Sequence, residues 1–340
     1  MSCNSYLQLV FHLYNLLTTS LNYNNRILYI KNKKQVFTLR KNKKQVFNLR
    51  KKMNIRESLL ERLEKVNGEV KSNMKKYLSI SQVLGMLVEP FDSKGVAQKT
   101  HDKHFNNPES QYYQMSVEQI MEAWSAKGAE SCKYGSLLDD YIGMNLNKEP
   151  EAKVEMWKLD NNYDWDERLN KLVQSFEQFM ELVNKSGDME FITREKTLYY
   201  KVPKTDYYIK GRFDALFYNK RTNKYVIVDW KSSGTVDKKK TPWTKQLFGP
   251  MMKYPALNWY TYTTQVHFYK LALLQSGYLP EGTNPDDIEV LIVQLPGHEC
   301  ADHKMYEIHK QAFDFDEDLM NKLFMFASKK NDLMNTMENI

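Results

Sequence analysis

The spacing of hydrophobic residues changes near residue 190, and this change limits the fold class of the chain. Helical spacing comes first, in the segments 54–78, 116–124, 131–144 and 164–186, with a loop-rich stretch at 79–115. Strand-like runs follow at 190–202, 207–218 and 224–230, and then a helix at 258–275, strands at 288–294 and 305–309, and a closing helix at 315–335. Ser116, with Gln119 three residues on, is typical of a helix N-cap. This order predicts an α/β fold in which a mixed central sheet is flanked by helices, with an N-terminal helical elaboration.

Residues 1–52 differ from the rest of the chain in composition. They contain 11 Lys and Arg residues and no acid, and 31–40 (KNKKQVFTLR) is repeated almost unchanged at 41–50 (KNKKQVFNLR). Three interpretations fit: a translated upstream segment with Met53 as the working start, a targeting leader, or a basic arm that contacts phosphates. We therefore expect a basic leader that is disordered or outside the fold, followed by one domain at 53–340. Its expected parts are a mainly helical region at 53–188, a catalytic core at 189–310 and a C-terminal helix at 311–340.

The net charge of +7 is carried by that leader. The whole chain has 49 Lys and Arg residues against 42 Asp and Glu residues, so without the 11 basic residues of the leader 38 remain and the net charge is −4. A body of this charge does not attract nucleic acid through a diffuse positive field. Any binding to DNA is therefore expected in a local groove.

Cysteine content and hydropathy restrict the compartment. Cys3, Cys132 and Cys300 are too few and too scattered for a disulfide framework, which is typical of a reducing, intracellular setting. The sequence leaves nuclear, cytoplasmic and mitochondrial locations open. No stretch of 18 or more apolar residues occurs, so no membrane-spanning helix and no membrane partner are expected.

Charged residues gather around the turn between two strands, in the stretch GRFDALFYNKRTNKYVIVDWKSSG. Asp214 is expected within the first strand, and Asp229 ends the second, directly after the apolar run Val-Ile-Val. A turn at 219–223 would make the two strands a hairpin and bring both carboxylates to one end of the sheet. Asp229 and Lys231 share a face of their strand, while Trp230 points the other way and leaves its backbone carbonyl at the site.

Two carboxylates and a carbonyl form an oxygen site that suits Mg²⁺ or Mn²⁺. Such an ion can activate water and polarise a phosphate, as phosphodiester hydrolysis requires. Lys231 beside the ion can orient or deprotonate the water and stabilise charge on phosphorus. Acid and lysine at a strand end are more often solvated surface than a site. Here the apolar strand before Asp229 favours a site, because a buried acid needs a cation to balance it.

Five segments, in the same order, resemble the motifs of the PD-(D/E)XK nuclease superfamily, specifically its RecB-like exonuclease branch of bacteria, phages, viruses and mitochondria. The segments are YLSISQVL (77–84), YGSLLDDYI (134–142), ITREKTLYY (192–200), GRFDALF with IVDWKSSG (211–217 and 227–234) and TTQVHFYKLAL (263–273). Together they are far more specific than any one motif alone. The resemblance implies a restriction-endonuclease-like fold and a metal-dependent deoxyribonuclease.

The resemblance also implies roles for individual residues. In the superfamily two acids bind metal, a lysine is catalytic, an acid on the preceding strand serves a second metal or an outer position, and a Gln-x-x-x-Tyr pair on the next helix braces the site. Carried to this sequence, these residues are Asp214 and Asp229 with the Trp230 carbonyl, Lys231, Glu195, and Gln265 with Tyr269.

One position departs from the family pattern. Asp139 stands where the family has a metal-binding histidine in its helical motif. An aspartate oxygen suits Mg²⁺, so we expect Asp139 as a further metal ligand, against the alternative of an ordinary exposed helix pair with Asp140. Gly135 and Ser136, just before it, would let a phosphate approach the helix closely.

Further nucleic-acid contacts are expected beside the site. Ser232 follows the catalytic lysine in the flexible stretch Ser-Ser-Gly. The aromatic segment 241–262 lies between this stretch and the next helix. Its residues Trp243, Trp259 and Tyr260 would either stack on unpaired bases or cap the core.

Other metal and cofactor signals are weak. The segment HECADH holds only three cramped candidates for zinc, His298, Cys300 and His303. Three scattered cysteines cannot supply the four thiolates that an iron–sulfur cluster needs, so no cluster is expected. The motif G-x-x-x-x-G-K-[ST] is missing from the sequence, so the chain is not a helicase motor.

The sequence therefore predicts an Mg²⁺- or Mn²⁺-dependent DNA exonuclease that acts on free or single-stranded ends, in replication, recombination or repair of a viral, phage-like or organellar genome. A separate helicase, polymerase or single-strand-binding protein is the expected kind of partner. Two alternatives stay open: a structure-specific endonuclease and a catalytically weak DNA-binding module. The polarity of digestion, the preference for DNA over RNA and the oligomeric state stay open as well.

Overall fold

A computed structural model of the chain describes residues 55–162, 166–232, 236, 238–241, 244–300 and 303–338. The chain divides into two units, Met1–Ile55 and Arg56–Ile340, and the elements below belong to the second from Arg56 onward. The predicted leader at 1–52 lies outside the described residues and stays a prediction. No helix in the described ranges is both long enough and apolar enough to cross a membrane.

The helices confirm most of the predicted helical segments. The helix expected at 54–78 ends at residue 73, and those expected at 116–124 and 131–144 are joined. The helices are α1 (residues 55–73), α2 (Ile80–Gly85), α3 (Ser93–His104), α4 (Val117–Asn147), α5 (Glu151–Asp160), α6 (Glu167–Ser186), α7 (Asn258–Gln275) and α8 (Glu317–Glu338). Ser116 caps α4 through a capping box with Gln119, as predicted.

Helices α2, α3 and α5 were not predicted, and the first two lie in the stretch 79–115 that was expected to be rich in loops. For α3 and α5 the reason lies in their burial. Only Ala97 is buried in α3, and no residue is buried in α5. A helix that buries so little carries no apolar stripe for the sequence to reveal. The start of α3 has a local cause, because the Asp92 side chain accepts a hydrogen bond from the backbone N–H of Gly95.

In the part of the chain that the structure describes, eight strands form two mixed sheets, where the sequence indicated fewer and longer strands. The strands are β1 (Lys76–Ser79), β2 (Met189–Arg194), β3 (Thr197–Lys201), β4 (Tyr207–Arg212), β5 (Ala215–Asn219), β6 (Lys224–Lys231), β7 (Ile288–Gln294) and β8 (Glu307–His309). One sheet has the order β1-β4-β3 and the other β2-β5-β6-β7-β8. Residues 76–78, expected at the end of a helix, instead pair in parallel with β4.

The two long strand-like runs, at 190–202 and 207–218, each divide into two strands that belong to different sheets. The chain leaves the five-stranded sheet after β2, forms the β3–β4 hairpin in the other sheet, and returns at β5. Glu195 lies at the first crossing with φ 49°, in the left-handed region, and Asp214 lies at the second. The Glu195 N–H donates to the Asp214 carbonyl at 3.2 Å. We call this junction the seam, and it places two predicted site residues side by side.

Two hydrophobic cores hold the five-stranded sheet between them. On strand β6, Ile227 belongs to the core formed with α7 and α8, whereas Val226 and Val228 belong to the core formed with α4 and α6. This alternation is the strand period of two. Strands β5 and β6 form the predicted hairpin, and β6 and β7 are parallel with α7 between them in sequence. The predicted class, a mixed sheet flanked by helices, is confirmed.

Candidate active site

The carboxyl end of β6 delivers two charged side chains to one face of the sheet. Asp229 is 1% exposed, and its Oδ2 lies 2.6 Å from Lys231 Nζ. Trp230 points to the opposite face, where its ring contacts Phe176 and Phe179 edge-on at centroid distances of 5.6 and 5.3 Å. Burying this ring fixes the strand end, so the alternation expected from the sequence holds the carboxylate and the ammonium together.

Asp214 reaches the same place from the seam. The sequence placed it within a strand, but it lies between β4 and β5, where the chain changes sheets and no ladder bonds constrain it. Its Oδ2 accepts a hydrogen bond from the Trp230 N–H at 2.7 Å. Burial, and then the charge of Asp229, raise the pKa of Asp214 to about 8, while Lys231 opposes the shift. Asp214 and Asp229 therefore lie close enough to repel each other.

Helix α7 holds the lysine in position through a chain of hydrogen bonds. Lys231 Nζ donates to Gln265 Oε1 at 3.1 Å, and Gln265 Nε2 donates to the Tyr269 hydroxyl at 3.0 Å. The hydroxyl in turn donates to the Arg212 carbonyl, at 2.8 Å, at the end of β4. Lys231 Nζ also lies 4.5 Å from the centre of the Tyr262 ring. The predicted Gln-x-x-x-Tyr pair thus links the lysine to the seam.

The charge of Lys231 is set by opposing influences. Burial alone lowers the pKa of Lys231, but the carboxylates of Asp229 and Asp214 outweigh it and raise the pKa above its ordinary value. We call Asp214, Asp229 and Lys231 the strand half of the site. It contains the buried Asp229, the half-buried Asp214 and one lysine ammonium.

Asp139 and Glu195 reach the site in a different way, because both are paired with arginines. Arg194 Nη2 donates to Asp139 Oδ1 at 2.7 Å and lies 3.3 Å from Glu195 Oε2. Arg212 Nη2 lies 3.1 Å from the other Glu195 oxygen. Asp139 also contributes to the raised pKa of Asp214, so its charge faces the strand half. We call Asp139, Arg194, Glu195 and Arg212 the helix half of the site.

Sequence reasoning missed both arginines. Each lies beside a residue that it did select, in the segments ITREKTLYY and GRFDALF. A second signal was available in Gly143, one helical turn after Asp139: a Cβ there would lie 1.6 Å from Arg194 Nη1. A side chain at this position would displace the guanidinium from the place that it occupies.

The strand half fits a divalent cation. The buried Asp229 and the half-buried Asp214 carboxylates face one ammonium, and Asp229 Oδ2 contacts that ammonium without accepting a hydrogen bond of regular geometry. When both carboxylates are ionised, the strand half has an excess of negative charge that a further cation would balance. Across the described part of the chain, no three His, Cys, Asp or Glu side chains are grouped to hold a metal by themselves. The fit therefore depends on the Trp230 carbonyl, water or phosphate as further oxygen ligands.

The candidates for nucleic-acid contact occupy different surroundings. A Cβ at Gly135 would lie 3.6 Å from Ser232 Oγ, so α4 meets the end of β6 there, and Ser136 is exposed on the same turn. Trp259 and Tyr260 are half-buried against the core. Trp243 lies outside the described residues.

The two described rings of that aromatic segment have partners within the protein. Trp259 lies edge-on to His309 at a centroid distance of 5.5 Å, with Lys238 Nζ 5.0 Å from the centre of its ring. Tyr260 contacts Tyr254 at 5.4 Å. These contacts favour the core-capping alternative for both rings.

A comparison with protein families agrees with this geometry. The family model of the PD-(D/E)XK nuclease superfamily matches residues 105–335, well over half of the chain. The chain therefore belongs to the PD-(D/E)XK nuclease superfamily, a group of nucleases that act on DNA and generally use divalent metal ions. No curated protein was found to be similar to it in sequence.

Proposed function

We propose that this nuclease is an Mg²⁺- or Mn²⁺-dependent DNA exonuclease of the RecB-like branch. One observation carries the proposal: Lys231 Nζ lies 2.6 Å from the buried Asp229 carboxylate, with Asp214 bonded to the intervening Trp230 N–H. Two acids and a base at a strand end, away from bulk solvent, are the groups that phosphodiester hydrolysis requires.

The chemistry divides between the ion and the side chains. When bound, the ion would supply an activated water and a Lewis acid for the phosphate. Asp214 and Asp229, with the Trp230 carbonyl, would hold it. Lys231 is placed to orient the water and to stabilise the charge that develops on the phosphate oxygens.

Helix α7 contributes the rigidity that such a site needs. Gln265 fixes the direction of the Lys231 ammonium, and Tyr269 fixes Gln265 through its hydroxyl. Because Tyr269 is also bonded to the Arg212 carbonyl, the lysine and the seam that carries Asp214 keep a constant separation. Substrate then meets a preorganised arrangement.

The preference for ends is supported by the shape of α4. Its C-terminal half contacts the site at Ser232, whereas no residue from 121 to 133 is buried. At 1.5 Å per residue the 31-residue helix is roughly 46 Å long. A helix that projects from the rim of a site limits the paths by which a duplex can enter, which favours a free, single-stranded end over continuous DNA.

Digestion of linear and covalently closed circular DNA of the same sequence, with Mg²⁺ present, tests this preference. An exonuclease degrades the linear form and leaves the closed circle intact. Nicking of the circle at a comparable rate would instead assign the chain as a structure-specific endonuclease. Substrates labelled at the 5′ or 3′ end, single- and double-stranded, then give the polarity.

A catalytically weak DNA-binding module is the second candidate function. The ion pair of Asp139 with Arg194 favours it, because the residue at the position of the family's histidine is already engaged. The wild type and Lys231→Ala distinguish the two. Turnover in the wild type only, with DNA binding retained in the variant, supports the enzyme; no turnover in either supports the module.

The setting of this activity is part of the same proposal. A role in replication, recombination or repair of a viral, phage-like or organellar genome, in a reducing intracellular compartment, agrees with the few cysteines. Of these, Cys132 and Cys300 are free thiols. A helicase, polymerase or single-strand-binding protein would supply the open strand, and co-purification with tagged protein from its native cells tests for it.

A further inference from the structure

We propose that Arg194 keeps Asp139 out of the coordination shell of the metal ion, so that Asp139 acts as a counter-charge and not as a ligand. The inference rests on the proposed metal site, and it concerns the one position where this chain departs from the superfamily pattern. It makes Arg194 a positioning residue that sets how tightly the ion is held.

The first step of the argument is the geometry of the ion pair. Arg194 Nη2 donates to Asp139 Oδ1 at 2.7 Å, and the Arg194 side chain is only 13% exposed. The same nitrogen lies 3.3 Å from Glu195 Oε2. The Asp139 side chain is 42% exposed, so water reaches the carboxylate, but a short charge-assisted bond to a largely buried guanidinium remains stronger than a neutral one.

The second step is that the Arg194 guanidinium fits into a space that the fold leaves beside Gly143. Arg194 Nη1 occupies the space beside Gly143, where a Cβ would lie 1.6 Å from that nitrogen and 2.9 Å from Arg194 Cζ. Asp139 and Gly143 are four residues apart on α4, so the Asp139 carboxylate and the space beside Gly143 lie on one face of the helix. The guanidinium is thus held by shape as well as by charge.

The third step is the cost of the alternative. To bind the ion through Oδ1, Asp139 would have to release Arg194, whose Nε is already buried with no hydrogen-bond partner. The guanidinium would then keep only the longer contact with Glu195, at 3.3 Å, and a largely buried charge that loses a partner is destabilised. Asp139 therefore stays with Arg194, and the ion is left to Asp214, Asp229 and the Trp230 carbonyl.

Replacing Arg194 should change the affinity for the metal ion in the opposite direction from the one expected if Arg194 had only a structural role. Removing the Arg194 charge would free Asp139 next to the strand half, adding a carboxylate oxygen and a negative charge to the site. Affinity for a divalent ion would then rise. If Arg194 served only to stabilise the fold, its removal would lower the affinity or leave it unchanged.

Direct Mn²⁺ binding to the full chain, by electron paramagnetic resonance or calorimetry, tests the proposal without an activity assay. Arg194→Met should bind Mn²⁺ about tenfold more tightly than the wild type, a gain of about 1.4 kcal/mol. Asp139→Asn removes a counter-charge but no ligand, so its binding should weaken by less than about tenfold. The double variant should lose the gain of Arg194→Met. Binding weakened tenfold or more in Asp139→Asn, or no gain in Arg194→Met, would overturn the proposal.

A second variant covers the case in which Arg194→Met fails to fold. Gly143→Ala displaces the guanidinium without touching either charge, and it should also tighten Mn²⁺ binding. Gly128→Ala is the matched control, because it lies in the same helix and a Cβ there meets nothing within 4 Å. Equal Mn²⁺ affinities for the two alanine variants would contradict the proposal.

The failure of this inference is distinguishable from the failure of the proposed function. Asp229→Asn should abolish Mn²⁺ binding if the strand half is the metal site. If it binds like the wild type, the proposed function is wrong. If it does not bind and Arg194→Met shows no gain, only the role of Arg194 is wrong.

Discussion

The two halves of the site differ in how the chain assembles them. The strand half comes from one β-hairpin, in which Asp229 and Lys231 are two residues apart and Asp214 faces them across the β5–β6 pair. The helix half joins Asp139, on a distant helix, to Arg194 at the end of β2. The first half has an excess of negative charge, whereas the second is neutral. The groups proposed for catalysis therefore come from residues that are close in sequence, whereas those proposed to adjust metal affinity come from residues that are far apart in sequence.

Loss of the lysine would give the largest effect and tests whether the strand half alone carries the chemistry. Lys231→Met should lower kcat by about 10²–10⁴-fold, the range for loss of a group that acts in the transition state. Rates on single-stranded DNA at saturating Mg²⁺ measure it, with circular dichroism as the control for folding. A fall in kcat of less than tenfold would mean that the strand half does not carry the chemistry.

Lowering the pH should destabilise the fold at His267, a residue that belongs to neither half of the site. His267 is buried on α7 between the rings of Phe313 and Phe315, and burial lowers its pKa to about 4. The unfolded chain therefore binds a proton first as pH falls from about 6.5 to 4, and up to about 3 kcal/mol of stability is lost over that window.

Urea unfolding of the wild type and His267→Phe, at pH 7.5 and pH 5, measures the loss at His267. The phenylalanine variant keeps an aromatic ring that cannot titrate, so it should lose less stability between the two pH values. An identical loss in both proteins would place the acid sensitivity elsewhere.

Neutralising one acid in each half should have opposite effects on stability. Asp214→Asn relieves repulsion with Asp229 and should stabilise the metal-free protein by about 1–2 kcal/mol, a rise in melting temperature of roughly 3–6 °C. Glu195→Gln removes the partner of two guanidinium groups and should not raise the melting temperature. Thermal melts in EDTA make the comparison. A rise in both would show that the helix half is not neutral.

Loss of one hydroxyl should give the smallest effect. Tyr269→Phe breaks the bond to the Arg212 carbonyl and the one from Gln265, at a cost of about 1 kcal/mol in stability. Because the hydroxyl acts through Gln265 on Lys231, kcat should fall while KM stays near its wild-type value. Phe268→Leu, a neighbouring core change of similar cost, is the control and should leave kcat unchanged.

The strand half could be predicted because its information is local. A period of two places Asp229 and Lys231 together, a turn makes the hairpin, and an apolar run marks burial, so each inference spans only a few residues. The structure confirms all three. Long strands were wrong for a related reason: around Asp214 the alternation of polar and apolar residues continues while the chain changes sheets, and the charged run at 194–196 was the local sign of the first break.

The helix half could not be predicted because it depends on tertiary placement. No local pattern states that Arg194 will reach a helix that begins far upstream, or that Gly143 will make room for it. Asp139 was selected only through the family motif, and its ion pair became visible only in the fold. The same limit applies to α5, which buries no residue and leaves no apolar period.

The seam sets the tip of the β3–β4 hairpin apart from the site, although the strands of the hairpin are packed in the core, with Leu198 and Ile209 fully buried. The hairpin leaves the five-stranded sheet at Glu195 and returns at Asp214, and its tip at Lys204 is exposed and roughly 17 Å away along the strands. Protein engineers could exchange that tip for a loop that binds a chosen base sequence without disturbing the reaction centre.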